Sequence, residues 1–156
     1  YTALNTLSLH DALPIYAGYY FQIGAEDNRA DFGSFHWETQ HIVAPGHYCI
    51  EPKALQVLRE DIVYGEGDFD RLVRSAAEAR FTLLRENALK RNPKGFDKDA
   101  PWSEYIRLRN FCLAYTPTTA EVTAPDFADR LLESFTAVRP FIDYINRAID
   151  FAREEL

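Results

Sequence analysis

Two proline-started helical patterns near the C-terminus constrain the fold of this chain more than any other feature. Pro125-Asp126 introduces the first, and Arg139-Pro140 ends it, because proline lacks a backbone donor and restricts the residue before it. Pro140 then opens the second pattern, since proline suits the first helical turn. The apolar residues at helical spacing are Phe127, Leu131, Leu132 and Phe135 in the first pattern and Phe141, Tyr144, Ile145, Ala148 and Ile149 in the second. Each helix therefore needs another element to cover one apolar stripe.

The first third of the chain has the composition of strands. Residues 19–23 are aromatic and β-branched, residues 35–43 partly alternate, and the polar residues 24–31 lie between them. These patterns predict two strands that can form a hairpin with a long loop. Residues 44–49 predict a turn that leads into a short extended piece.

The middle of the chain mixes helical and extended patterns. Pro52 predicts a helix over 52–64, and Asp68 is the predicted N-cap of a helix that ends near Glu78. Residues 81–84 fit either a strand or a helix end. Further along, the patterns predict a loop over 92–97, a short helix over 102–108 and a strand over 111–115. Together they predict an α+β fold in which helices pack a small antiparallel sheet and two amphipathic helices end the chain.

Length and charge exclude several classes of protein. A chain of 156 residues forms one domain, and its net charge of -7 argues against a general nucleic-acid or anionic-membrane binder. No apolar run approaches the ~18 residues of a membrane span. Cys49 and Cys112 lie far apart without CxxC spacing, which favours two free thiols and a cytoplasmic location.

Residues 5–15 do not resemble ordinary protein sequence. Thr6 to Ile15 match, residue for residue, one translated frame of a common short-read sequencing adapter, and the codons of Asn5 and Tyr16 are compatible with its flanks. We therefore expect residues 1–16 to be an adapter-derived scar without consistent packing. Residues 17–156 are then expected to be the C-terminal portion of a single α+β domain, which would leave apolar sheet surface uncovered.

One central motif carries a family resemblance. Residues 93–101 read PKGFDKDAP and residues 105–111 read YIRLRNF. This resembles the pattern K-x-x-P-K-G-F-D-x-x-H-P…L-x-x-K-x-F of the bacterial family called Domain of Unknown Function 2461, with Lys90 as the leading lysine. Residues 17–23 and 46–55 are similar to other parts of that family. The resemblance covers about residues 17–153.

The chain also departs from the family pattern. Ala100 stands where a histidine is common, Arg109 where a lysine is common, and Ala44-Pro45 where two glycines are usual. A basic segment resembling F-R-I-x-R-D-x-R-F-S-x-x-K-x-P-Y-K usually precedes the matched region and is not found here. The resemblance implies a fold and a cytoplasmic location, but the family implies no established activity.

Basic residues cluster around the central motif and suggest an anion site. Convergent lysine and arginine donors suit phosphate or carboxylate ligands. The candidate residues are Lys90, Lys94, Arg107 and Arg109. The alternative is a solvated loop whose basic side chains pair with Asp97, Asp99 and Glu104, because surface ion pairs are common and weak. Gly95 is expected to serve the turn, where a positive φ is needed.

Three other groupings are weaker candidates. His36, His41 and His47, with Asp31 and Glu38, lack converging zinc spacing, so we expect no metal and no cofactor. The aromatic residues of the predicted sheet are expected to pack in the core rather than stack on bases; they are Tyr19, Tyr20, Phe21, Phe35, Trp37 and Tyr48. Cys49 near His47 lacks a third group to orient a thiol–base pair.

Two functions remain open from the sequence. The first is a protein that binds a small anionic ligand, with an enzymatic role neither required nor excluded. The second is a non-catalytic interaction module whose basic loop docks an acidic partner. Convergence of the basic side chains beside the first strand favours the ligand, and side chains that splay into solvent favour the module.

Overall fold

The computed structural model describes residues 15–24 and 40–154, and in these ranges the chain has the predicted α+β fold. The strands are short, and the longest helix closes the chain. The strands are β1 (Phe21–Gln22), β2 (Ile42–Val43), β3 (Gly46–His47), β4 (Thr82–Leu83) and β5 (Phe111–Ala114). The helices are α1 (Pro52–Tyr64), α2 (Asp68–Glu78), α3 (Ser103–Ile106), α4 (Thr119–Thr123), α5 (Phe127–Ala137) and α6 (Arg139–Glu154).

The strands form two small antiparallel sheets joined by single bridges. β1 pairs with β2, with Phe21 opposite Val43, which is the predicted hairpin pairing. In the other sheet the order is β3-β5-β4, so β5 is central. Val43 also bridges to Tyr115 just after β5, and Gly18 bridges to Gly46. The sheet order therefore brings both ends of the predicted turn over 44–49 against β5.

The core lies between this sheet and the packed pair α1 and α6. Phe69 of α2 lies at its centre and contacts the rings of Tyr105, Phe111, Phe141 and Tyr144 at centroid distances of 5.0 to 5.7 Å. Each fully buried side chain of this size contributes roughly 1.5–3 kcal/mol through the hydrophobic effect. The stripe predicted for the last helix is all buried: Phe141, Tyr144, Ile145, Ala148 and Ile149.

Several local predictions are corrected by the structure. Asp68 is the first residue of α2 rather than its N-cap; the cap is Gly67, whose φ of 88° is left-handed. Of the ambiguous residues 81–84, Thr82–Leu83 form β4, which pairs antiparallel with β5 and buries Leu83. Helix α4 was not predicted. Of the predicted strand 35–43, the first five residues lie outside the described ranges.

Helix α5 is more exposed than its sequence pattern predicts. No residue of α5 is fully buried, and Leu132 is 66% exposed. Leu131 and Phe135 are half-buried and contact the core, while Phe127 contacts Phe21 of β1 at 5.1 Å between centroids. The helix therefore covers the edge of the sheet at β1 with only part of its apolar face.

Residues close to the start of the described chain contact its last helix. Ala17 is buried, its N–H donates to Asn146 Oδ1 at 2.7 Å, and Asn146 Nδ2 donates back to the Ala17 carbonyl at 3.2 Å. Tyr16 is exposed and donates to Asp150 Oδ1 at 2.7 Å. Residues 1–14 of the predicted adapter segment lie outside the described ranges, so that prediction stays a prediction. Across the ranges that are described, no helix is long and apolar enough to cross a bilayer.

Candidate anion site

Asn92 organises the loop that carries the basic motif. Its Nδ2 donates to the Asp97 carbonyl at 2.7 Å and to Ser103 Oγ at 2.9 Å, and its Oδ1 accepts from Arg107 Nε at 2.9 Å. Gly95 has a φ of 96°, which confirms its predicted role in the turn. One side chain therefore ties the loop over 92–97 to the start and end of α3.

The four residues predicted for the anion site differ in their exposure to solvent. Lys90, Lys94 and Arg109 are exposed, whereas Arg107 is half-buried. The Leu89 N–H donates to the Arg107 carbonyl at 2.8 Å, so the backbones at Lys90 and Arg107 lie side by side. The site prediction is neither confirmed nor refuted by these positions.

The basic loop has no acidic counterpart where the structure describes it. None of the four candidate residues forms an ion pair within residues 15–24 and 40–154. Glu104, which we considered as a partner for the loop lysines, approaches Arg85 at 3.5 Å instead. Within the described residues, the loop therefore forms none of the ion pairs with Asp97, Asp99 or Glu104 that the sequence allows.

Arg59 of α1 joins this region and was missed in the sequence. It is only 8% exposed, and its Nη2 donates to the Leu108 carbonyl at 2.9 Å. Its Nε is buried and has no hydrogen-bond partner among the described residues. Among the residues that the structure describes, no carboxylate pairs with this guanidinium. A buried cation without a counter-charge is costly, so this position is unusual for a purely structural arginine.

Arg109 adds a second positive charge beside Arg59. Burial lowers the pKa of Arg59, and repulsion from Arg109 lowers it further. The turn at Gly95 lies close to Gln56, which is about one helical turn before Arg59 in α1. A Cβ added to Gly95 would lie 3.9 Å from Gln56 Nε2. The stretch of α1 from Gln56 to Arg59 therefore lies close to both Arg109 and the Lys94-Gly95 turn.

A sequence signal for Arg59 did exist. Leu55, Leu58 and Ile62 define the apolar stripe predicted for α1, and Arg59 occupies the i+4 position from Leu55 on the same face. A charged residue inside an apolar stripe is a sequence signal of its own, and it is distinct from a cluster of basic residues.

The two described histidines of the weak metal hypothesis are committed to structural bonds. His41 Nδ1 accepts from the Gly24 N–H at 3.1 Å, which leaves Nε2 to donate to Thr119 Oγ1 at 3.0 Å. His47 Nδ1 accepts from the Cys49 N–H, and Nε2 donates to the Ile15 carbonyl. His36, Asp31 and Glu38 lie outside the described ranges. Within those ranges, no group of three metal-ligating side chains is present.

The two cysteines are free thiols and form no disulfide with each other, as predicted. Cys49 is exposed and Cys112 is buried. Burial raises the pKa of the Cys112 thiol to about 12, so it is protonated at neutral pH. His47 accepts from the backbone of Cys49 rather than from its thiol, which removes the geometry of a thiol–base pair.

The prediction that the strand aromatics pack in the core is wrong for three of them. Tyr19, Tyr20 and Tyr48 are exposed, because β1 and the turn over 44–49 lie at the edge of the sheet. Tyr19 still packs its ring on Phe135 of α5, at 4.8 Å between centroids, and Phe21 is half-buried. Phe35 and Trp37 lie outside the described ranges.

Comparison with known proteins gives one family. The family model described as a conserved hypothetical protein, DUF2461, matches residues 7–144. The matched range includes the loop organised by Asn92, as well as Arg59 and Arg109. No curated protein and no solved structure matches the chain.

Proposed function

This chain belongs to the DUF2461 family of conserved hypothetical proteins, and we propose that it binds a small anionic ligand beside Arg59 and Arg109. Lys90, Lys94 and Arg107 supply further positive charge around these two residues. The observation that carries the proposal is the Arg59 side chain, which is 8% exposed, has a buried Nε and lacks a carboxylate partner in the described part of the chain. We place the protein in the cytoplasm, where its two thiols stay reduced.

The energetic argument concerns the missing counter-charge. Removing an ion from water costs several kcal/mol even after relaxation, and a second arginine nearby increases that cost. An anion that contacts both guanidinium groups supplies the attraction that the protein itself leaves out. It also supplies an acceptor for the orphaned Nε of Arg59.

The donor types indicate which anions suit the site. Guanidinium groups present planar forks that match carboxylate and phosphate oxygens two at a time. Lysines add mobile point charges, which suit a ligand with more than one negative group. A di- or polyanionic phosphate or carboxylate is therefore the expected ligand class, and no reaction is required by this arrangement.

A second candidate function rests on the exposed part of the cluster. Lys90, Lys94 and Arg109 are exposed, so the same loop can also dock an acidic protein surface. In that case small anions would only screen the charge. Saturable binding that depends on the buried Arg59 would not occur.

Isothermal titration with pyrophosphate, at constant ionic strength, tests the proposal. We expect saturable binding that weakens by about ten- to a hundredfold in Arg109→Gln, since a hydrogen bond to a charged group contributes about 1.5–3 kcal/mol. Arg59→Met should abolish binding, and succinate serves as the carboxylate probe.

The matched control is Arg153→Gln, which removes an exposed arginine from the far end of α6. It should bind pyrophosphate as the parent protein does. Equal weakening in the Arg109 and Arg153 variants would reduce the effect to general charge screening. Absence of saturable binding in the parent protein would leave the docking function as the better candidate.

A further inference from the structure

A second cleft lies on a different face of α1, at the C-terminal end of that helix. It is bounded by the end of α1, the start of α2 and the last turns of α6, and its volume is about 530 Å³. The lining residues used below are Glu60, Asp61, Tyr64, Tyr144, Arg147 and Phe151. Arg59 and Arg109 do not line this cleft, so it is separate from the anion site.

The electrostatics of the cleft favour a cation. Asp61 has no hydrogen-bond or ion-pair partner within residues 40–154, and Glu60 accepts only from Gln56 Nε2 at 3.0 Å. The last turn of α1 carries no basic residue, so its carbonyl groups add negative potential at the same end. Loss of hydration raises the pKa of Asp61, the attraction of the exposed Arg147 only partly opposes that shift, and the neighbouring Glu60 adds to it.

An unsatisfied hydroxyl is an independent sign of a ligand. Tyr144 is 7% exposed, and its hydroxyl is buried without a hydrogen-bond partner in the part of the chain that the structure describes. A Cβ added to Gly65 would lie 3.5 Å from that oxygen, so the hydroxyl faces the end of α1 that borders the cleft. An orphaned buried hydroxyl costs about 1–3 kcal/mol, which a ligand N–H would recover.

Aromatic rings flank the carboxylates. Tyr64 is 79% exposed and Phe151 is 53% exposed, although both are large apolar side chains beside a concave surface. The Arg147 guanidinium already lies 5.5 Å from the centroid of the Tyr144 ring, so this ring accepts a cation on its face. An inorganic cation would gain little from such rings, whereas an organic cation would pack its hydrocarbon stem against them.

We propose that the cleft at the end of α1 binds a small organic cation, an ammonium or guanidinium group on a short aliphatic stem. The charged group pairs with Asp61 and Glu60 and donates to the Tyr144 hydroxyl. The stem lies between Tyr64 and Phe151. Arg147 occupies part of the same ring face and competes with the ligand.

Agmatine, which carries a guanidinium and an amine on a four-carbon stem, is the probe. Titration followed by two-dimensional NMR should give saturable shifts at the amides of residues 60–68 and 144–151. Asp61→Asn should weaken binding by about fivefold, the upper value for an exposed ion pair. Tyr64→Ser should weaken it by about two- to fivefold, the size of an exposed cation–π contact. The matched control Asp129→Asn, on α5, should bind as the parent does.

Arg147→Gln provides the sharpest test, because removal of the competing guanidinium should tighten agmatine binding by about two- to fivefold. Magnesium chloride at equal ionic strength distinguishes an organic-cation site from an acidic patch. The proposal is overturned if magnesium produces the same shifts, if Arg147→Gln leaves agmatine affinity unchanged, or if Asp129→Asn weakens binding as much as Asp61→Asn. Tyr64 and Arg147 are exposed, so these two variants keep the fold, and circular dichroism checks it.

Discussion

At the scale of single residues, Arg59 holds a positive charge where hydrocarbon would suit the core better. Its neighbours on the buried face of α1 are Leu58 and Ile62, and its hydrogen bond to the Leu108 carbonyl satisfies only part of the guanidinium. Replacement of buried charges by apolar residues of similar volume is often neutral or stabilising. A positive charge at this position therefore lowers the stability of the fold relative to an apolar side chain of similar volume.

Arg59→Met should raise the free energy of unfolding by about 1 kcal/mol while it removes pyrophosphate binding. The gain reflects the relieved desolvation of the guanidinium, offset by the Leu108 carbonyl that loses its donor. Urea denaturation of the ligand-free protein measures it, with the exposed Arg153→Met as control. A clear loss of stability would show that the Leu108 hydrogen bond outweighs the buried charge.

Prediction at the residue scale succeeded where chemistry and sequence proximity coincide. Gly95, Cys49 and Cys112 behave as expected, since a turn glycine and two widely spaced thiols need only local information. Arg59 was missed because its partner Leu108 lies 49 residues away, and clusters formed by folding are not visible as runs of like residues.

At the scale of elements, the loop from Asn92 to Ser103 depends on one amide side chain. Asn92→Ala removes two short bonds to the loop and α3 and the acceptor for Arg107 Nε. We expect the free energy of unfolding to fall by about 2 kcal/mol, because each hydrogen bond contributes about 0.5–1.5 kcal/mol. We also expect faster hydrogen exchange at the amides of residues 96–107. Asn92→Asp keeps the acceptor but not the donors, so its effect should be intermediate. Unchanged exchange in Asn92→Ala would mean that turn geometry alone fixes the loop.

Helices were predicted better than strands for a physical reason. The bounds of α1 match the prediction, because a proline start and a helical stripe are local signals. Strands of two residues, such as β1 and β4, exist only through their partners. Helix α5 is exposed because its partners along β1 cover only part of its stripe, which no pattern within the helix reveals.

At the scale of the whole molecule, a buried thiol and two buried phenols lower the stability of the fold as the pH rises into the alkaline range. Burial is the leading cause that raises the pKa of Cys112, Tyr105 and Tyr144 to about 12, from 9.0 for a thiol and 10.0 for a phenol. Near neutral pH both the folded and unfolded states keep these protons. Between pH 9 and 12 the unfolded state releases them first, so it binds fewer protons and the free energy of unfolding falls as pH rises.

Urea denaturation midpoints should therefore be flat near neutral pH and fall progressively above pH 9. Tyr144→Phe removes one of the three groups and should make the decline shallower, with Tyr64→Phe as the exposed tyrosine control. A midpoint that stays constant to pH 11 in the parent protein would contradict the assigned burial effects.

The pair of hydrogen bonds between Ala17 and Asn146 has a consequence for the order of events during synthesis. The two residues are 129 positions apart, so these two hydrogen bonds cannot form until α6 has left the ribosome, whereas Gly18 can pair with Gly46 much earlier. At typical translation speeds this wait is on the order of ten seconds. During that interval the segment before β1 is held by its hydrogen bonds to Ala44, Gly46 and His47 but not by α6, so a holding chaperone that binds early would be of most use to the protein there.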